Sequence, residues 1–79
     1  MKLSIEIGNY LDPKNGKPCE VEIYFDKDGL DYLINQLSKL KASGDHSHLM
    51  TPSWGMHDLS ETKIVEENHL AHHLRLSLL

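Results

Sequence analysis

Residues 19–41 read CEVEIYFDKDGLDYLINQLSKLK, and the change of period inside this stretch decides the fold. From Cys19 to Phe25 the residues alternate. Cys19, Val21, Ile23 and Phe25 share one face, and Glu20, Glu22 and Tyr24 share the other. Period two marks a half-buried strand. From Leu30 onward the apolar residues fall at three- and four-residue steps: Leu30, Leu33, Ile34, Leu37 and Leu40. That is one stripe on a helix, predicted over roughly residues 27–42. Asp26 stands where the period changes and can cap the helix, with Asp28 near its positive end. Lys39 and Lys41 suit the negative end, and Gly44 suits a left-handed stop.

Upstream, KLSIEIG (2–8) alternates too. Leu3, Ile5 and Ile7 face one way, and Lys2, Ser4 and Glu6 the other. Asp12-Pro13 and Asn15-Gly16 fill the gap with turn signals, so the first two strands read as an antiparallel hairpin. Downstream, HSHLMT (46–51) is long enough for a short strand, and PSWGMHD (52–58) punctuates it. LSETKIVEEN (59–68) suits a helix turn, a loop or a further short strand near Leu59–Val65. In the closing HLAHHLRLSLL, Leu70, His72, Leu74, Leu76 and Leu78 share a face at period two, and Ala71, His73, Arg75 and Ser77 share the other. A helix is the alternative there, but the run from Leu74 to Leu78 favours strand. The predicted fold is α+β in two layers: an antiparallel sheet of about four strands, order β-β-α-β-β, with one amphipathic helix on one face. The opposite face would carry Lys2, Ser4, Glu6, Glu20, Glu22 and Tyr24 into solvent.

Seventy-nine residues make one domain, residues 1–79, with a thin core. At 39% hydrophobic and 25% charged residues, the chain has a globular composition rather than a disordered one. A formal net charge of −4 disfavours nucleic acid, whose phosphates need Lys and Arg, and favours a basic partner. The single cysteine, Cys19, cannot close an internal disulfide, which fits a reducing compartment. The first residues lack the long apolar run of a signal peptide, and no stretch is apolar enough to span a bilayer. The expectation is a cytoplasmic protein without a membrane partner.

Residues 46–61, HSHLMTPSWGMHDLSE, hold three of the six histidines and the only tryptophan. His46 and His48 leave a strand on the same side, and His72 or His73 could join them if the last strand lies beside them. Two imidazoles at this spacing can bind zinc, but a site needs three or four ligands and their supporting bonds. No metal or other cofactor is expected, with His46, His48 and His72 as the alternative set. Catalysis is a poor fit. Ser53, His57, Asp58 and Cys19 are residue types that could form a triad, but a triad is defined by geometry. Cys19 stands on the inward strand face, where a thiol packs as a small hydrophobe. No glycine-rich phosphate loop occurs. Trp54 can either close one end of the sheet or anchor an interface. The acidic face is either solvated or complementary to a basic protein.

Three stretches resemble one family. Gly29-Leu30 opens the helix ahead of leucines 33, 37 and 40; His48–Gly55 reads His-Leu-Met-Thr-Pro-Ser-Trp-Gly; and a last strand ends near Arg75. Together, from Phe25 onward, they resemble the immunity protein 32 family of bacterial polymorphic toxin systems. Met56 stands where a second glycine would fit the pattern. The resemblance implies a protein that binds and neutralises a cognate toxin domain, with no enzymatic activity and no cofactor. Many such toxins are nucleases and basic, which suits an acidic partner. Glu6, Glu20, Glu22, Tyr24 and Trp54 are the candidate partner-binding residues. Two other classes stay open: a small His-rich metal-binding module, and a homodimeric structural or regulatory protein.

Overall fold

The computed structural model describes residues 1–79. Its elements are β1 (Leu3–Ile7), β2 (Val21–Phe25), α1 (Lys27–Ser38), β3 (His46–Met50), a short 3-10 turn (Pro52–Trp54), β4 (His69–Leu70) and β5 (His73–Ser77). The class is α+β, with one helix between strands and antiparallel pairing throughout. The predicted hairpin pairs Leu3 with Phe25 and Ile7 with Val21 in unbroken register. The Asp26 carboxylate accepts from Gly29 N–H at 2.8 Å, so the cap forms as its position suggested. The helix stops at Ser38, short of residue 42, so Lys39 and Lys41 lie beyond its last turn. Gly44 does adopt a left-handed φ of 96°, but in the turn that leads into β3.

The strands form two sheets rather than one. Order β2-β1-β4 makes the first and β3-β5 the second. The division lies in the last strand, which breaks at Ala71-His72. Ala71 N–H still donates to Ile5 of the first sheet, whereas Thr51 N–H donates to the His72 carbonyl in the second. The chain thus changes sheets across one dipeptide. Residues 59–65 form no strand, but Ser60 imitates one: its N–H donates to the Leu3 carbonyl at 2.7 Å, and its hydroxyl accepts from Leu3 N–H at 3.0 Å.

The core is small. Leu3, Ile5, Leu49 and Leu59 are buried, with Tyr32, Leu33, Ala71, Leu74 and Leu76 packed around them. Two expectations need correction. The apolar face of β2 is not covered: Val21, Ile23 and Phe25 are 62%, 41% and 48% exposed, as Ile34 and Leu37 of α1 largely are too. The 12-residue helix packs Tyr32 and Leu33 on the core and leaves the edge strand largely open. Cys19 is exposed, because it precedes β2 in the open hairpin loop. The molecule is correspondingly extended. Its radius of gyration is 13.7 Å, against about 11.6 Å for a compact chain of this length.

Candidate functional site

The candidate partner-binding residues divide between two surfaces. Glu6, Glu20, Glu22 and Tyr24 belong to the first sheet, on the face away from the core. Glu6 is not in solvent there; it is fully buried, against expectation. Residues 60–68 fold over it. Its carboxylate accepts from Ile64 N–H at 2.8 Å, Val65 N–H at 3.2 Å, the Asn68 amide at 3.0 Å and the Ser4 hydroxyl at 2.6 Å. Burial raises its pKa, but these four donors outweigh burial and hold the carboxyl below its usual range. Glu6 is therefore a structural anchor and cannot touch a partner.

Glu22 stands beside it in a polar chain. Tyr24 Oη donates to Glu22 Oε1 at 2.5 Å, and the Asn68 amide donates to the same oxygen at 2.9 Å. Those bonds lower the Glu22 pKa, and the Tyr24 phenol is pushed up to about 12, chiefly by its bond to Glu22. Glu20 is raised by Glu22, through hydrogen bonding and then through charge. Both carboxylates lean over Gly8. A Cβ there would lie 2.7 Å from Glu22 Oε2 and 2.8 Å from Glu20 Oε2. Glu20 and Tyr24 thus edge a ledge whose floor is the buried Glu6 network.

Trp54 belongs to the second surface. It sits on the 3-10 turn after β3, and Gly55 closes that turn in the left-handed region at φ 98°. The ring is 57% exposed and stacks over His72, with centroids 6.2 Å apart and planes 7° apart. Beneath it, His72 Nδ1 shares a 2.7 Å hydrogen bond with the buried Thr51 hydroxyl. Glu61 fastens the turn from outside, accepting from both Ser53 N–H and Ser53 Oγ at 2.7 Å. The 46–61 segment is thus a strand followed by a braced turn that holds an indole at the surface.

Of the alternative metal set, His46 and His48 are neighbours, with ring centroids 5.1 Å apart. His72 is turned away from them toward Thr51. His73 takes its place, its Nε2 sharing a 2.7 Å hydrogen bond with His48 Nδ1. No three metal-capable side chains converge. Of the two histidines the last strand offers, strand parity selects His73. It stands opposite Met50, and Arg75 opposite His48, so they share the outer face with His46 and His48, while Leu49 and Leu74 point inward.

This imidazole–arginine face has a pH consequence. Desolvation first, then His73, His46 and Arg75, hold the His48 pKa below 6.5. The folded state therefore takes up that proton less readily than the unfolded chain. Stability is unaffected well above pH 6.5 and declines as pH falls through that value toward the lower folded one. The melting temperature should drop between pH 7 and pH 5, before most carboxylates titrate. His48→Gln should flatten that slope in a calorimetric pH series, and an unchanged slope would show that His48 is not its source.

No helix is long and apolar enough to cross a membrane. A family model described as Immunity protein 32 matches residues 20–74, more than half of the chain. No curated protein and no solved structure matches. The match runs from the acidic ledge of β2 through the helix and the braced Trp54 turn into β5, and the chain belongs to the immunity protein 32 family.

Proposed function

We propose that this member of the immunity protein 32 family binds a cognate bacterial toxin domain directly, in the cytoplasm, and neutralises it by occupying its surface rather than by catalysis. The observation that carries the reading is the family match over residues 20–74. Three properties of the molecule support it: a net charge of −4, an acidic ledge with Glu20 exposed and Glu22 and Tyr24 half-buried, and a tryptophan left more than half exposed by a turn built to hold it. A basic toxin, a nuclease for instance, is the partner this charge suits.

The test is co-expression with the toxin encoded beside it, followed by binding kinetics on the purified pair. Exposed acidic residues steer encounter, so Glu20→Lys with Glu22→Lys should slow association about tenfold or more at low salt and much less at high salt. A stacked surface indole acts after encounter. Trp54→Ala should speed dissociation, with a loss of ~2 kcal/mol if the ring is an anchor. A purified protein that neither binds the neighbouring toxin nor protects cells from it would refute the immunity reading. Normal binding by both sets of variants would leave the function standing and remove these two surfaces from it.

A further inference from the structure

We propose that the open edge of β2 is a strand-addition site for an extended segment of the toxin in which Lys or Arg alternates with apolar residues. The inference rests on the immunity reading and deepens it. In the first sheet β2 is an edge. Gly8 N–H donates to the Glu20 carbonyl and Asp26 N–H to the Lys2 carbonyl, which fixes the parity of the ladder. Glu20, Glu22, Tyr24 and Asp26 turn their backbone groups toward β1. Val21, Ile23 and Phe25 turn theirs outward. β1 obeys the same parity on its other side, where the Leu3 and Ile5 carbonyls accept from Ser60 and Ala71. Three N–H and three C=O groups of β2 thus face the open edge in a row.

Edge strands are usually guarded by lysine, proline, a bulge or a covering loop. From Glu20 to Asp26 there is no lysine and no proline, and the register runs without a bulge. Val21, Ile23 and Phe25 add an exposed apolar face to the open backbone. Such an edge offers main-chain hydrogen bonds for affinity and alternate side chains for selection.

Charge decides which strand it accepts. A second copy would have to pair antiparallel with outward residues facing outward residues, so the two-fold axis must pass through a residue. Centred on Val21, it sets Glu20 against Glu22. Centred on Glu22, it sets Glu22 against itself. Centred on Ile23, Glu20 meets Asp26, and centred on Tyr24, Glu22 meets Asp26. Each of these four registers, the ones that pair most of the strand, puts acid opposite acid, which is destabilising in a cross-strand pair. A strand with Lys or Arg opposite Glu20, Glu22 and Asp26, and apolar residues opposite Val21, Ile23 and Phe25, converts each conflict into an attraction. It also relieves the crowding of the Glu20 and Glu22 carboxylates over Gly8.

Residue-resolved hydrogen exchange on the whole protein, alone and with the neighbouring toxin domain, tests this. In the free protein the Val21, Ile23 and Phe25 amides should exchange fast and the Glu22 and Tyr24 amides slowly. With the toxin bound, the first three should slow by about 100-fold or more. Ile23→Lys, which keeps every backbone bond but guards the edge, should weaken toxin binding by about 30-fold. Ile23→Pro, which deletes only an outward N–H, should do the same. Toxin bound while the three amides stay fast would overturn the proposal and leave the immunity reading intact. Protection that appears without toxin and grows with protein concentration would assign the edge to a second copy and also overturn it. No toxin binding at all would remove the immunity reading and this site with it.

Discussion

Glu6→Leu is expected to lower the unfolding free energy by about 3–5 kcal/mol, since each buried donor left without a partner costs roughly 1–3 kcal/mol. The side chain is fully buried and accepts from two backbone amides, one side-chain amide and one hydroxyl. Leucine fills much of the volume and satisfies none of them. The amides of Ile64 and Val65 can regain water only if residues 60–68 lift from the sheet. That movement would also withdraw Ser60 from Leu3 and Asn68 from Glu22. For a domain of this size the total stability is only about 4–12 kcal/mol, so the loss would leave much of the population unfolded in the weaker part of that range. Glu6→Gln keeps the shape and one acceptor and should cost less, about 1–2 kcal/mol.

The pH dependence separates the charge from the packing. Hydrogen bonds hold the Glu6 pKa below 4.5 in the fold despite burial. Its contribution is therefore complete above the unfolded value and is lost as pH falls through the lower folded one. Urea titrations at pH 7 and pH 3 should show wild type losing stability in acid and Glu6→Gln losing less. A leucine variant within half a kcal/mol of wild type at pH 7 would mean that the carboxylate does not hold the loop (a surface substitution shifts stability by about that much).

Alternation states which side chains share a face, but not what covers that face. This is why the hairpin, the capped helix and the last strand were legible, whereas the fate of Glu6 was not. Lys2, Ser4 and Glu6 read as a wet face because the cover comes from residues 60–68, which have no period to read. Two of the three donors they give Glu6 are backbone amides, which carry no sequence signature; the third is the Asn68 side chain. The opposite error concerns Val21, Ile23 and Phe25. Their period marks them as core, yet the helix that follows is 12 residues long and packs Tyr32 and Leu33 on the cluster of Leu3, Ile5, Leu49 and Leu59 instead. The break at Ala71-His72 was invisible for another reason: the sequence alternates in one phase across it, from Leu70 to Leu74, whereas the side chains change face, Leu70 standing opposite Glu6 and Ala71 joining Leu74 and Leu76 on the core. Trp54 was readable as a surface residue only in part. The Pro and Gly around it announced a turn, but the support from His72 and Glu61 comes from 7 to 18 residues further along the chain.

Gly29→Ala is expected to destabilise the protein by about 3 kcal/mol, at the upper end of what overpacking costs. In an isolated helix the same change would stabilise by about 1 kcal/mol, because alanine is the better helix former. The sign reverses here because Gly29 is buried against the Lys2 carbonyl, just ahead of β1. A Cβ at this position would stand 1.9 Å from the Lys2 carbonyl oxygen, 3.0 Å from the Lys2 carbonyl carbon and 3.1 Å from Phe25 Cβ. The first two atoms are backbone and cannot rotate aside. The helix would have to move outward, and with it Asp26, whose N–H bonds the same Lys2 oxygen and whose carboxylate caps Gly29. Gly29 thus holds the first turn of α1 onto the end of the β1–β2 hairpin. In the sequence it stood out as part of the Gly29-Leu30 opening; the structure gives it a packing role rather than a recognition role. The change should therefore lower the denaturation midpoint first, and impair toxin binding only as far as it displaces β2. Asn35→Ala, on the exposed side of the same helix, should be neutral or slightly stabilising and serves as the control. A Gly29→Ala protein as stable as wild type would show that the helix can shift without cost, and the junction would then not be what positions the edge strand.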